Sequence, residues 1–301
     1  MRALLLGARG AVGTVVRREL TRAGHTVTAA SRTASGDIAV DLRGDLAALT
    51  RLAGMHDVVV NASGIERPDF GVAVGGTPLV EISATGAYLD ALRSASSGQI
   101  VLGAGLAPGL STVLVAELDS RPGDEIDVLV MLGSGEKHGP AAVAWTADLV
   151  GTDLYQPPER EPVRNLVTST KAEGPDRRSR RYLRADFPDH VLLGSDRGLA
   201  IRSYLALSSA PATAAFAAVG RAPRLHGLLR HAPRIGSADW QILVRNRRTG
   251  QHLQAHGTGQ SEATGRLTAL AAMRAVSMSS TGPTTMADLI DGDEARAALR
   301  P

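Results

Sequence analysis

Three glycines set three residues apart, Gly7, Gly10 and Gly13, lie in the stretch LLLGARGAVG (4–13), where an apolar strand is about to give way to a helix. Glycine is about 1 kcal/mol worse than alanine in a helix interior, so its use here needs a reason. A tight turn is the plain reason; a phosphate cradle is the chemical one. Between a strand and a helix, the first glycine permits the turn and the second lets a pyrophosphate approach the backbone. The third lets the helix pack close to the strand. Phosphate oxygens would take backbone N–H groups at the positive end of the helix dipole, across Gly7, Ala8, Arg9, Gly10, Ala11, Val12 and Gly13. The spacing departs by one residue from the G-x-G-x-x-G fingerprint of NAD binders, so the strand-to-helix context carries the assignment.

The second strand bears on which dinucleotide is bound. NAD binders place Asp or Glu at its end, about 20 residues on, to accept from the ribose 2′-hydroxyl. Ser31 and Arg32 stand there instead. A carboxylate would repel a 2′-phosphate, whereas Arg32 can fork onto it, Ser31 can donate to it, and Thr33 adds a further donor. NADP is therefore expected over NAD, the bland alternative being an ordinary exposed arginine. Asp41, ending the third strand, is placed either to accept from the adenine amino group or to close a turn. In NASG (61–64), at the end of the fourth strand, Asn61, Ala62 and Ser63 would admit the cofactor's ribose, or would form a simple turn.

Hydride transfer needs positioning and a proton donor or acceptor at the reacting atom. The short-chain dehydrogenase pairing of Tyr and Lys four apart is excluded, because Tyr88 is followed by Leu92 and neither lysine lies four after a tyrosine. The stretch GSGEKHGPAAVAWTADLVG (133–151) offers Glu136, Lys137 and His138 before an apolar helix. Lys137 and Lys171 are the only lysines among 33 basic residues, so a replaceable charge at 137 would more readily have been arginine. Lys137 or His138 could protonate a developing alkoxide or amine, unless the triplet is only a solvated turn. Tyr155 and Asp148 are the secondary candidates. The histidines show no metal spacing beyond His252 and His256 in a strand, and no metal is assigned.

These residues must be held by a particular architecture. Short apolar strands alternate with helices through the first half: strands at 2–7, 26–31, 37–42, 57–63, 79–83 and 99–105, with helices around 11–23, 45–53 and 86–96 and one starting near Pro108. That alternation argues a Rossmann-type doubly wound α/β fold with a parallel sheet. Past residue 120 the grammar changes. Longer strands (DEIDVLVMLGSG, LAIRSYLALSS) flank a Pro- and Arg-rich stretch from Gln156 to Arg184, which reads as a loop holding at most one strand. DWQILVRNRRTGQHLQAHGTG reads as a hairpin turning at RRTGQ, and SEATGRLTALAAMRAVS as an amphipathic helix capped by Ser261 or the preceding glycine. The expected division is a dinucleotide-binding domain over 1–120, on which the helix at about 260–278 packs back, and an α+β substrate and dimerisation domain over 121–260.

Composition narrows the class. The chain has 301 residues, 44% hydrophobic and 21% charged, as in ordinary globular proteins. Its net charge is +3, but aromatics make up only 3% and do not interleave with the arginines, so no nucleic-acid surface is expected. No apolar run approaches the ~20 residues of a membrane span. The absence of cysteine excludes disulfides and Cys-ligated metals. With no signal-peptide layout at the start, a cytoplasmic protein is expected.

GARGAVG, LVEIS (79–83) and GAGLAPGLS (103–111) together resemble the saccharopine dehydrogenase-like oxidoreductases, which carry GxxGxxG, V-x-(D/E)-x-S and G-x-x-P-G-L-(S/T). GTGQSEATGRLTALAA and GPTTMADLID look like that family's return helix and tail, so the likeness spans nearly the whole chain. The resemblance implies an NAD(P)-binding Rossmann domain, a mixed α/β second domain, a homodimer, and a small amino-acid-like, imine or carbonyl substrate. Gly105, Pro108 and Gly109 suit a strand-to-helix turn, after which the N–H groups of Leu110 and Ser111 are expected to face the nicotinamide or an anionic substrate group. The reacting centre is expected between this turn and the GSGEKHG loop. An NADP-dependent oxidoreductase is the leading reading; a non-catalytic NADP sensor or a non-redox cyclase on the same fold are the alternatives.

Overall fold

The computed structural model describes residues 1–32, 37–96, 98–136, 146, 148–154, 159, 161–174, 176–222, 236–278 and 281–300. The chain divides into two compact units, Met1–Val113 with Ser261–Pro301, and Leu114–Gln260.

In the first unit, β1 (Arg2–Leu6), β2 (Thr26–Ser31), β3 (Ile38–Ala39), β4 (Val58–Asn61), β5 (Leu79–Glu81) and β6 (Ile100–Leu102) alternate with helices. The helices are α1 (Ala11–Arg22), α2 (Ala47–Ala53), α3 (Phe70–Ala73), α4 (Gly86–Ala95) and α5 (Leu110–Ala116), the last running across the boundary between units. With the late strand Pro283–Thr285 beside β6, the sheet order is 3-2-1-4-5-6-(283–285), and every pairing is parallel. This is the doubly wound Rossmann order, in which the direction of strand addition reverses between β1 and β4 while the strands themselves stay parallel. Runs such as Ala3–Leu6 and Val58–Val60 are fully buried, as strands covered on both faces must be.

The helix Gln260–Ser277 returns to this unit and lies against α1. A Cβ on Gly265 would stand 2.5 Å from the Val15 Cβ and 3.1 Å from the Val12 carbonyl oxygen, so glycine sets how closely the two helices approach. Arg18 donates to Glu262 across the same contact, and Arg266 bonds the same carboxylate at 2.7 Å.

The second unit is built on a mixed six-stranded sheet. It contains β7 (Glu125–Leu132), β10 (Ser169–Glu173), β11 (Ser179–Arg184), β12 (Ala200–Leu207), β13 (Asp239–Asn246) and β14 (His252–Thr258), in the order 10-11-12-7-13-14. Only β12 and β7 pair in parallel; β8 (Asp153–Leu154) and β9 (Val163–Arg164) form a separate antiparallel pair. The hairpin β13–β14 turns through Gly250 at φ +73°, a left-handed position that glycine accepts without strain.

Three expectations from sequence change. The stretch Gln156–Arg184 is not a loop with one strand, because it contains β9, β10 and β11. Its arginines mask a hairpin held by side chains: Asp176 accepts both ends of the Arg180 guanidinium at 2.5 Å, while Tyr182 and Leu183 are buried. The third strand is only two residues long and ends before Asp41. The second helix begins at Ala47, whose N–H donates to Asp45 at 3.0 Å from outside the helix. A helix at Ala210–Arg221 also forms; its signal, Ser209 as cap with proline in the first turn, is present in the sequence.

The arginine-rich segment of the β13–β14 hairpin is likewise engaged internally. Asp127, 2% exposed, accepts from Arg245 at 2.8 Å and from both Nε and Nη2 of Arg247. Arg248 donates to Asp124 through Nε and Nη2.

Candidate functional site

Gly7, at the end of β1, adopts φ +80°. A Cβ there would overlap the Ala62 carbonyl and stand 2.6 Å from the Ser63 Cα, so the turn leaving β1 lies directly on the end of β4. Gly13, in the first turn of α1, would drive a Cβ into the Gly7 carbonyl. Gly10 differs from both: a Cβ there meets only the Gly7 carbonyl oxygen at 3.3 Å and the Ala62 carbonyl oxygen at 3.9 Å. Two of the glycines close the backbone on itself, and the middle one is the least confined, with one tight contact to the Gly7 carbonyl oxygen. Arg9, Gly10 and Ala11 are exposed, and α1 carries no acidic residue in its first turn. An exposed glycine at the start of a twelve-residue helix, beside the β1/β4 switch point, is the geometry that accommodates a pyrophosphate. The residues present fit a dinucleotide.

At the end of β2, Arg9 Nη2 donates to Ser31 Oγ at 2.5 Å, and Arg9 Nε pairs with Asp37 at 3.3 Å. Asp37 is largely buried, with 4% of its side chain exposed. The structure thus brings the glycine-turn arginine to the position that decides between a 2′-hydroxyl and a 2′-phosphate. Arg32 is exposed there, with no bonded partner among the described residues. Thr33 lies outside the described residues. Asp41 is exposed beyond β3 and accepts from the Arg43 N–H at 2.9 Å, closing a local turn. Asp37 was not singled out from sequence; its signal is a carboxylate one residue before β3, beside the end of β2.

The carboxyl ends of β4 and β5 carry a buried polar network. Asn61 and Glu81 are 1% and 0% exposed and face each other in register. Asn61 Nδ2 donates to Glu81 Oε2 at 2.7 Å and to the Ile65 carbonyl at 3.1 Å; its Oδ1 accepts from Ser63 N and Oγ. Glu81 also accepts from the Tyr88 hydroxyl at 2.9 Å and from the Ser83 N–H at 2.9 Å. Burial pushes the Glu81 carboxyl above its ordinary pKa, against the pull of those donors, and burial beside Glu81 raises the Tyr88 phenol. The sequence signal was a lone carboxylate inside an apolar strand, PLVEIS, which family likeness had marked without giving it a role.

The β6–α5 turn departs from expectation. Gly105, Pro108 and Gly109 are buried at the end of β6, and Gly109 takes φ +130° against the Gly105 backbone. The N–H groups of Leu110 and Ser111 are not free; they donate to the Gly105 and Leu106 carbonyls at 3.0 and 3.3 Å. The turn is tight enough to consume its own donors.

Lys137, His138 and Tyr155 lie outside the described residues, so the structure does not place them. Glu136 accepts from the Gln260 N–H at 2.7 Å, and Asp148 is exposed. His252 and His256 sit exposed on the edge strand β14. Among the described residues no group of three or more His, Asp or Glu could hold a metal, and no helix is long and apolar enough to cross a membrane.

No family model and no curated protein matches the chain. Among solved structures it is similar to the C. glutamicum DAP dehydrogenase in complex with DAP, at 12% identity and TM-score 0.48, over 100% of this chain and 96% of that one. It is similar to an engineered D-amino acid dehydrogenase bound to NADP+ at 13% identity and TM-score 0.48, over 100% and 96%. It is also similar to the dipicolinate-bound dihydrodipicolinate reductase of Paenisporosarcina sp. TG-14 at 10% identity and TM-score 0.41, over 96% and 99%. Likenesses at this level assign no family, and the Rossmann assignment rests on the strand order itself.

Proposed function

We propose that the protein is an NADP-dependent oxidoreductase that moves a hydride between the nicotinamide and a small carbonyl or imine substrate, in the manner of the saccharopine dehydrogenase-like enzymes. The observation that carries this reading is the middle glycine. Gly7 and Gly13 are locked against backbone, while Gly10, at the exposed start of α1, is the least confined of the three, a Cβ there meeting the Gly7 carbonyl oxygen at 3.3 Å. The turn needs this middle glycine less than the other two, and a pyrophosphate approaching the backbone needs it most.

In this reading the backbone from Ala8 to Gly13 binds the pyrophosphate, Ser31 and Arg32 receive the 2′-phosphate with Arg9 alongside, and Asn61, Ala62 and Ser63 border the ribose. The bound nicotinamide supplies or accepts the hydride. Lys137, His138 and Tyr155 are the proposed proton donors, acting on the substrate oxygen or nitrogen. The protein is proposed to work as a homodimer in the cytoplasm.

Calorimetric titration with NADP+, NADPH, NAD+ and NADH tests the reading, followed by absorbance of the reduced cofactor against a carbonyl and imine panel. Binding with tighter affinity for the phosphorylated pair supports it. Absence of binding by all four refutes it, and binding with no turnover across the panel shifts the assignment to a dinucleotide sensor.

A further inference from the structure

Glu81 is an unusual group to find where it is. Its carboxylate is fully buried at the carboxyl end of β5, yet it makes no ion pair among the described residues. Two of its three neighbours can act only as donors toward it, and the third is a hydroxyl that can donate as well. The Asn61 amide cannot be reversed, because Nδ2 also donates to the Ile65 carbonyl and Oδ1 also accepts from the Ser63 N–H. The Ser83 N–H is a donor by constitution, and the Tyr88 hydroxyl completes the set. A shell made of donors matches a negative charge. Burying that charge without a cation is costly unless something else at the site is positive.

The position indicates what that would be. A dinucleotide on a doubly wound sheet lies across the carboxyl ends of the strands, its two halves on either side of the switch point. With the adenosine half over β1–β2, where Ser31 and Arg9 meet, the nicotinamide half extends over β4 and β5, where Asn61 and Glu81 stand in register. An oxidised nicotinamide ring is a cation, and a reduced one is neutral.

Resting on the dinucleotide reading above, we propose that Glu81, held by Asn61, Ser83 and Tyr88, acts as a buried counter-charge that favours the oxidised nicotinamide over the reduced one. It would not touch the reacting atoms. Its effect would reach the ring electrostatically, and its hold on Asn61 would also set the turn to Ser63. The titratable group bonded to it is the Tyr88 phenol, on which the charge of Glu66 also acts; the Glu66 carboxylate accepts from Thr85 at 2.8 Å. Burial raises the Glu81 pKa, so the preference should be present at high pH and fade as acid protonates the carboxylate.

The test is fluorescence titration of wild type and Glu81→Gln with NADP+ and NADPH, with near-ultraviolet circular dichroism as the check on folding. The ratio of the two dissociation constants should move toward the reduced form by about three- to tenfold in the variant, the size of a partly screened unit-charge interaction. A merely structural role would weaken both forms alike, and an unchanged ratio with both forms bound overturns the proposal. Should Glu81→Gln fail to fold, the ratio is followed against pH in wild type and Tyr88→Phe. Removing one donor raises the carboxyl pKa further, so the loss of preference should occur at higher pH in Tyr88→Phe. Identical or flat pH profiles overturn the proposal. If wild type binds neither form, the dinucleotide reading itself falls, an outcome distinct from an unchanged ratio.

Discussion

Replacing Gly10 with valine and Gly13 with alanine separates ligand binding from folding within a single turn. A Cβ at Gly10 meets the Gly7 carbonyl oxygen at 3.3 Å, which requires a shift of only a few tenths of an ångström, and the backbone there, φ −71° and ψ 166°, suits any L-residue. Gly10→Val is therefore expected to change stability by no more than about 1 kcal/mol. Its methyls, however, would occupy the approach to the first turn of α1. Hydrogen bonds to a charged group are worth about 1.5–3 kcal/mol each, so losing two to the pyrophosphate removes about 3 kcal/mol or more. At 1.4 kcal/mol per tenfold, that is a loss of dinucleotide affinity of about a hundredfold or greater.

Gly13→Ala has the opposite signature. Its Cβ is forced into the Gly7 carbonyl and stands only 2.9 Å from the Gly7 carbonyl carbon and 3.0 Å from the Ala8 Cα, all backbone that cannot swing away. Overpacking of this kind costs about 1–3 kcal/mol. The first unit would then melt lower by roughly 2–4 °C for each kcal/mol lost. Thermal unfolding and calorimetric titration on both variants make the comparison. Wild-type affinity in Gly10→Val refutes the phosphate cradle, and a wild-type melting temperature in Gly13→Ala refutes the packing argument.

Arg32→Ala should weaken NADP by about 1–3 kcal/mol and leave NAD nearly unchanged; equal losses for both, or a wild-type preference for NAD, would reject the assignment of the β2 end. Asp37→Asn removes the carboxylate that pairs with Arg9 at 3.3 Å, so NADP should bind severalfold tighter by calorimetry, and unaltered binding would show that this pair has no part in cofactor choice. Gly265→Val should push the returning helix off α1 and destabilise the first unit by about 2–3 kcal/mol or more, read as a lower melting temperature; no change would mean that the helix is not packed as described. Asp127→Ala leaves Arg245 and Arg247 without their shared acceptor. Because those side chains are 44% and 40% exposed, water should limit the loss to about 1–3 kcal/mol, measured as a lower urea midpoint at constant slope.

The local pattern of residues was enough to specify the parallel sheet and its helices. Val58–Val60 and Ile100–Leu102 are continuous apolar runs because strands covered on both faces have no polar side to display, and that signal is readable along the chain. The β13–β14 hairpin was equally legible, since a glycine at the turn and alternation on either side are local properties. The stretch from Gln156 to Arg184 was misread for the converse reason. Its strands are anchored by the Asp176–Arg180 pair and by burial against β12, and neither shows as an apolar period.

At the site, sequence alone singled out Gly7, Gly10 and Gly13, because their spacing and their place between strand and helix are local facts. Gly13 closes on Gly7 and Ala8 within the same turn, but that Gly7 lies against the end of β4, some fifty residues away, is shown only by the folded chain. The same holds for Arg9 meeting Ser31 and Asp37, for the β6–α5 turn using its own N–H donors, and for Glu81 gathering Asn61, Ser83 and Tyr88. Each depends on which strands lie side by side. The periodicity of one segment determines whether it is a strand or a helix; strand order determines which polar ends meet, and that order is set by long-range packing that no single segment encodes.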